Sequence, residues 1–479
     1  MGEIRFYNTL STREEPLEPV HPGEVRMYSC GPTIYDYAHI GNFRTFTFQD
    51  VLRRFLISRG YKLVHVMNLT DVDDRIIQNA AAAKIGLREY TDKYAKAFLE
   101  DMGTLNLQQP EFIVRATDHI SDMVNLIQTL RKKTYTYESE GSIYYRISKF
   151  PTYGRLSKVD LGGIQAGARV DVDRYEKADA RDFALWKGPK PGEFFWETPI
   201  GAGRPGWHIE CSAMSMKYLG ETIDIHTGGI DLAFPHHENE IAQSEAATGL
   251  PFVKLWLHAE HLVVDGEKMS KSLGNFYTLR DLLRKGYKPS AIRFLLLSVP
   301  YRRQLNFTMD GLQQATSSVA RLRTFKARLQ NEKFPDVDTA ETQTMLEQAD
   351  ANFEGGLEDD LNTAQALASI FDLVRFANTA MDRGKFSQAS VPAVIGLLCK
   401  FDQILGVMED DDEEKLRVLG FATGGEKLSD VEVAKLIEAR QAARTARNFQ
   451  ESDRIRQQLA DNGIIVEDTR DGSVRWKRK

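Results

Sequence analysis

Two short segments carry residue types suited to handling phosphate. HIGN, at 39–42, stands where an apolar strand-like pattern gives way to a helical one. A helix start offers unpaired backbone N–H groups and a partial positive charge, which together seat phosphate oxygens. His39 can donate to such an oxygen, and Gly41 would let adenine or phosphate approach the backbone closely. Read alone, the tetrapeptide fits a polar helix start with a packing glycine more readily. KMSKS, at 268–272, places Lys268 and Lys271 three apart on a loop. Two compact, movable ammonium groups can neutralise a pyrophosphate as its charge develops. An exposed basic loop is the plain alternative, but the pentamer follows a nucleotide-type fold, which favours the chemical reading.

A third constellation holds thiols, imidazoles and carboxylates. Within FPHHENEIA, His236 and Glu240 are four apart and share one side of a helix. His237 has Ile241 at that spacing, which makes it the poorer partner. The cysteines are Cys30, Cys211 and Cys399, too few and too scattered for a disulfide framework. Taken singly, Cys211 in GWHIECSAM reads as a helix core residue and the His-Glu pair as a surface pair. Cys399, in the periodic apolar helix VIGLLCKF, is predicted to pack in a core. Spacing does not join Cys30 and Cys211 to His236 and Glu240. The expected fold allows such a link, because Cys30 closes the first strand and the others belong to a second half beside the same sheet edge.

The elements that must hold these groups follow from periodicity. EVRMYSC reads as a short strand closed by the turn CGPT. From about His39, Ile40, Phe43, Val51 and Phe55 recur at helical spacing, with Gly60 at the stop. YKLVHVMN is a nearly continuous apolar run, as for a strand buried on both faces. This βαβ unit implies a parallel sheet with ligands at the carboxyl ends of its strands. Residues 121–204 are less regular and read as an insertion between residues 1–120 and 205–310, the two halves of a Rossmann-like α/β domain. The second half is predicted as a helix at 207–219, a strand in ETIDIHTGG, a helix from about His236 and a strand VKLWLH. Asp265-Gly266 then favours a tight turn leading into KMSKS. Residues 311–408 carry helical periodicity throughout and are predicted to form a bundle. EDDDEE, at 409–414, reads as a solvated linker. Residues 409–479 as a whole are this linker plus a small C-terminal α/β segment of two helices and a short strand.

Composition bounds the remainder. The chain has 479 residues, 42% apolar and 27% charged, which is ordinary globular usage and long enough for about three domains. The N-terminus has no apolar run suited to secretion, and FLLLSV at 294–299 is too short to span a bilayer, so a cytoplasmic protein without membrane contact is expected. The net charge of −6 requires any nucleic-acid contact to use local basic surface, such as RDGSVRWKRK at the C-terminus.

HIGN after the first strand, paired with KMSKS after the last, resembles the class I aminoacyl-tRNA synthetases. Among them the chain is most similar to the cysteinyl-tRNA synthetases, through YSCGPTIYDYAHIG, NLTDVDDRI, GWHIECSAM, DIHTGGIDLAFPHHENEIAQSEA, GEKMSKSLGN and ARNFQESDRIRQQLADNGIIVEDT. These segments span nearly the whole chain. One departs from the family pattern: the first motif usually reads HIGH, and here its fourth residue is Asn42. An amide can still donate toward phosphate, but any role needing a second imidazole there is in question.

The resemblance implies an ATP-dependent ligase that activates cysteine and transfers it to tRNA(Cys); a monomer is expected. It implies one zinc ion held by Cys30, Cys211, His236 and Glu240, ATP with Mg²⁺ at His39, Gly41, Asn42, Lys268 and Lys271, and an amino-acid pocket including Thr70, Trp207, His208 and His226. Zinc with sulfur and nitrogen donors prefers a thiolate to a neutral hydroxyl, which would separate cysteine from serine where a hydrophobic pocket could not. The helical and C-terminal segments would meet tRNA, with Arg444, Arg447, Arg454, Arg456, Trp476, Lys477 and Arg478 as candidate contacts. Two alternatives stay open: a ligase joining cysteine to an amino sugar, and a catalytically silent tRNA-binding paralogue.

Overall fold

The computed structural model describes residues 2–159, 181–190, 192–421, 430–445, 448–461, 464–468 and 474–478. Its centre is a sheet of five parallel strands, β1 (Glu24–Ser29), β2 (Lys62–Leu69), β3 (Phe112–Arg115), β4 (Ile223–Gly229) and β5 (Val253–Ala259). Their order is β5-β4-β1-β2-β3. From β1 the chain moves outward through β2 and β3, then returns to place β4 on the other side of β1. Strand order therefore reverses between β1 and β4, and ligands of such sheets bind outside the carboxyl ends at that point. Three helices frame this edge: α1 (Ile40–Ser58), α2 (Trp207–Leu219) and α3 (Glu238–Thr248).

Helix α1 begins at the N-cap His39 and gives way to Gly60, whose φ of 86° suits the turn into β2. Its inner face carries charge as well as apolar side chains. Asp50 accepts from Arg54 Nε at 2.8 Å and from Arg293 at 2.6 Å. The two guanidinium groups also donate to the carbonyls of Gln403 and Leu405, at the C-terminal end of the helix Val391–Leu405. Cations at a helix C-terminus are favoured by its dipole, and here they fasten α1 to the helical region.

Between β3 and α2 lie the helix Ile120–Lys132 and a four-stranded antiparallel sheet of Thr136–Ser139, Ser142–Tyr145, Phe183–Lys187 and Arg204–Pro205. One apolar core runs through both sheets, from Tyr28 and Val66 to Tyr145 and Trp186. After β5, strands Leu262–Val264 and Glu267–Lys268 pair antiparallel around Asp265 and Gly266, with φ of 51° and 80°. Two successive positive φ values are what a two-residue Asp-Gly hairpin turn requires. Helices Met309–Asn331, Ala340–Glu358, Thr363–Asp382 and Val391–Leu405 follow.

Three sequence expectations change. Cys399 is exposed. The buried stripe of its helix runs through Val394, Leu398, Phe401 and Leu405, and the residue after Leu398 turns about 100° away from it. The acidic run is more than a solvated linker, because Asp412 is fully buried. It accepts from the Ser290 backbone N–H at 2.8 Å, from the Ser290 hydroxyl at 2.7 Å and from Arg323 at 2.6 Å. Finally, the C-terminal segment has two strands, Ile464–Asp468 and Val474–Arg478, paired antiparallel after helices Asp430–Thr445 and Phe449–Asp461. Met1–Lys415 and Leu416–Lys479 are separate compact units.

Candidate active site and metal centre

At the carboxyl edge of β1 and β4 the four expected donors meet. Cys30 immediately follows β1, Cys211 lies in the second turn of α2, His236 in an irregular turn over Ala233–His237, and Glu240 in the first turn of α3. Phe234 is extended within that turn, so His236 and His237 face the sheet edge before the regular helix begins. The Cys30 and Cys211 sulfurs are 3.9 Å apart, Cys30 Sγ is 3.9 Å from Glu240 Oε1, and His236 Nε2 is 3.1 Å from the same oxygen. All four residues are buried, and their donor atoms lie within 4.8 Å of one another.

The charges of this cluster favour a cation. Burial pushes the Cys30 thiol up, with Cys211 adding to the effect. Burial would raise Cys211 too, but its hydrogen bond with Cys30 and the adjacent His236 bring it down to about 6. Glu240 falls to about 2 against its burial, through His226 and His236. His236 rises to about 10, because the negative charges of Cys211 and Glu240 outweigh its burial. The proton on His236 thus balances buried anions, and metal binding at such sites replaces protons of this kind. The group could hold a metal ion.

His237 is the poorer partner of Glu240, as spacing indicates, at 3.9 Å against 3.1 Å for His236, but it meets another donor. Its Nε2 is 3.3 Å from Cys30 Sγ, and Cys30, His226, His237 and Glu240 form a second set of donors within reach of one another. Gly228 on β4 makes room for it, since a Cβ there would lie 2.7 Å from His237 Cε1. His237 Nδ1 in turn meets His258 Nε2 at 2.8 Å, and His258 Nδ1 meets the Thr9 hydroxyl at 2.8 Å. Neither His258 nor Thr9 falls in a pattern that spacing could single out.

The expected pocket residues surround the same cluster. Trp207 stacks on His236 with centroids 4.2 Å apart, and His208 Nδ1 is 2.9 Å from His236 Nδ1. His226 Nε2 lies 2.9 Å from Glu240 Oε2 and its ring stacks on Trp256. Thr70 joins less directly, donating to Glu210 at 3.2 Å. Glu210 precedes Cys211 and is fully buried; burial holds its carboxyl well above the usual range, with Cys211 and Asp71 contributing.

The phosphate-handling segments meet at the start of α1. His39 Nδ1 accepts from the Asn42 backbone N–H at 3.2 Å, and Asn42 Oδ1 accepts from the His39 backbone N–H at 3.1 Å. This reciprocal cap satisfies two groups at the helix start. Burial lowers the His39 pKa to about 4, with Asp231 opposing and Lys271 assisting. A Cβ at Gly41 would lie 2.9 Å from His39 Nδ1 and 3.2 Å from Met269 of KMSKS, so only glycine permits this approach. The backbone N–H of Ile40 donates to the Tyr277 carbonyl at 3.0 Å, which fixes the segment after KMSKS against the α1 start. Lys268 is exposed, and Lys271 Nζ contacts Asp36 Oδ2 at 2.8 Å. The charge of Asp231 acts on both Cys30 and His39, raising the pKa of each.

The C-terminal candidates are more dispersed. Arg444 and Arg456 are exposed, and Arg454 pairs with Glu451. Trp476 packs against the small core of Val433, Ile437, Ile455, Leu459 and Ile464. Lys477 and Arg478 lie on the last strand, and Arg447 is outside the described residues.

Residues 16–317 match the family model for the class I (C) tRNA synthetase catalytic domain, 352–409 that for the DALR domain, and 429–476 that for the cysteinyl-tRNA ligase anticodon binding domain. The chain is 57% identical to the cysteine–tRNA ligase of Solibacter usitatus, over 99% of this chain and all of that protein. It belongs to the cysteine–tRNA ligase family. The Leptospira interrogans cysteine–tRNA ligase is 47% identical over the full length of both chains. Among solved structures, a Mycobacterium tuberculosis methionyl-tRNA synthetase with methionyl-adenylate matches with a TM-score of 0.59 at 16% identity, over 84% of this chain and 94% of that one. This similarity supports the class I synthetase fold for the family member described here. Among the described residues no helix is long and apolar enough to cross a membrane.

Proposed function

We propose that this chain joins cysteine to tRNA(Cys) at the expense of ATP, working as a monomer in the cytoplasm. The observation that carries the reading is the four-donor cluster of Cys30, Cys211, His236 and Glu240 beside the His39 and Lys271 segments, at one sheet edge. In the first step a carboxylate oxygen of cysteine attacks the α-phosphate of ATP, and the bond to the leaving pyrophosphate breaks. In the second, the terminal ribose hydroxyl of tRNA attacks the acyl carbon of the adenylate, and AMP leaves. No protein nucleophile is required. Positioning and charge neutralisation supply the acceleration.

The donor set of two thiols, an imidazole and a carboxylate fits zinc. When bound, zinc would supply a Lewis-acidic site that takes a thiolate far more readily than a hydroxyl, favouring cysteine over serine. Around that site, Trp207, His208, His226 and Thr70 would close on the amino acid. His39 would act as a neutral donor. Its Nδ1 accepts from a backbone N–H, so its proton sits on Nε2, and with a pKa of about 4 the ring stays uncharged at pH 7. The backbone N–H of residue 42 sets this tautomer, while the Asn42 amide oxygen completes the cap by accepting from the His39 backbone N–H, and neither contact needs a second imidazole. Gly41 would keep the backbone open to ATP, Asn42 could also donate to it, and Lys268 and Lys271 would neutralise the phosphates, with Mg²⁺ arriving on ATP.

Cysteine-dependent ATP–pyrophosphate exchange tests the reading. Exchange followed by transfer to tRNA supports it. Exchange with transfer to an amino sugar would replace the acceptor, and absence of exchange would leave a silent tRNA-binding protein.

A further inference from the structure

Among the contacts between the loop bearing Lys268 and Lys271 and the start of α1, the ion pair of Lys271 is made to Asp36. This residue stands three before His39, in the connection from β1 to α1. Its Oδ1 accepts from the Tyr37 backbone N–H at 2.9 Å, and its Oδ2 from Lys271 Nζ at 2.8 Å. The ammonium also sits 5.1 Å from the centre of the Phe276 ring, which meets the His39 ring edge-on at 5.2 Å. Lys268 has no ion-pair partner among the described residues, so the two lysines of the motif are held differently.

We infer that Asp36 is a positioning residue that keeps Lys271 beside His39 until the phosphates of ATP take its place. A carboxylate edge offers an ammonium the same charge-assisted oxygen contact as a phosphate edge. Lys271 cannot give its charge fully to both, so Asp36 and the incoming phosphates compete for it. The pair is solvent-exposed, with 67% of the lysine and 39% of the aspartate side chain accessible. Such pairs are weak and readily exchanged. A weak latch orders the loop without trapping it, as a loop that must move during each turnover requires.

This inference rests on the role proposed for Lys271, and the test separates the two. In the full-length chain, Asp36→Asn keeps the shape of Asp36 and removes its charge. The KM for ATP in cysteine-dependent exchange should fall by about two- to five-fold, the scale of one exposed ion pair, with the effect on KM rather than kcat. In a Lys271→Ala background the same substitution should change nothing further. Without ATP, trypsin should cut at Lys268 and Lys271 faster in Asp36→Asn than in wild type, and saturating ATP should remove the difference. Unchanged KM and tryptic rate in Asp36→Asn, with impaired exchange in Lys271→Ala, would overturn the latch alone. Wild-type exchange in Lys271→Ala would overturn it together with the reading it rests on.

Discussion

Gly41→Ala separates the chemistry of His39 from the stability of its helix. The added Cβ would lie 2.9 Å from His39 Nδ1, 3.0 Å from its Cε1 and 3.2 Å from Met269 Cε. Unstrained contacts of this kind need about 3.5 Å, so the imidazole must retreat by roughly 0.5 Å. Its bond from the Asn42 N–H is already 3.2 Å long and would be lost. Losing that cap costs about 1 kcal/mol, while replacing glycine by alanine within a helix returns about 1 kcal/mol. Urea denaturation should therefore place the variant within about 1 kcal/mol of wild type. Adenylate formation should fall by about 10²-fold, the effect of displacing one positioned donor. Cysteine-dependent pyrophosphate exchange provides the assay. A variant with exchange within about threefold of wild type would refute the claim that His39 acts from this position.

Three further outcomes follow from other parts of the chain. Asp412→Ala should destabilise the protein by about 3 kcal/mol, because it leaves Arg323 without its buried partner and Ser290 without its acceptor. Asp410→Ala, with 76% of its side chain exposed, should cost less than about 0.5 kcal/mol in the same urea titration. His65 bonds Ser29 Oγ at 2.8 Å through Nε2, and burial lowers its pKa from 6.5 to about 3. Between those values the unfolded chain binds the proton and the folded chain does not. The neutral ring therefore contributes stability above about pH 6.5 that is lost as pH falls toward 3. Denaturation at pH 7, 6 and 5 should show a slope in wild type that His65→Gln reduces by up to about 1.4 kcal/mol per pH unit. Removing residues 430–479 should weaken tRNA charging and spare cysteine-dependent exchange, and equal loss of both would contradict that division of labour.

The α/β framework was readable because its signals are local. The apolar run YKLVHVMN, the start at His39 and the Asp265-Gly266 turn each depend on neighbours in sequence. The donor cluster was only partly so. His236 and Glu240 share a helical repeat, whereas Cys30 and Cys211 are brought to them by the crossover that sets β4 beside β1. The approach of His237 to Cys30 has no spacing signal, because the two are distant in sequence and the turn over Ala233–His237 is irregular. Asp36, Glu210 and Asp231 carry no spacing signal, since each acts across loops or between elements. Cys399 and Asp412 failed in opposite directions for one reason. Average hydrophobicity placed a cysteine inside and an acidic run outside, but the helical repeat turns Cys399 outward and Ser290 with Arg323 draw Asp412 in.

In the function proposed above, Cys30, Cys211, His236 and Glu240 together hold the ion that selects the substrate thiol. The most direct test of this role is the zinc content per chain of Cys211→Ser, measured on the purified full-length protein alongside its KM for cysteine. With one of four donors replaced by a weak ligand, zinc should fall well below the wild-type stoichiometry, and the KM for cysteine should rise by at least about tenfold. Full zinc occupancy with an unchanged KM would contradict the account of cysteine selection and leave only the phosphate chemistry of His39 and Lys271 standing.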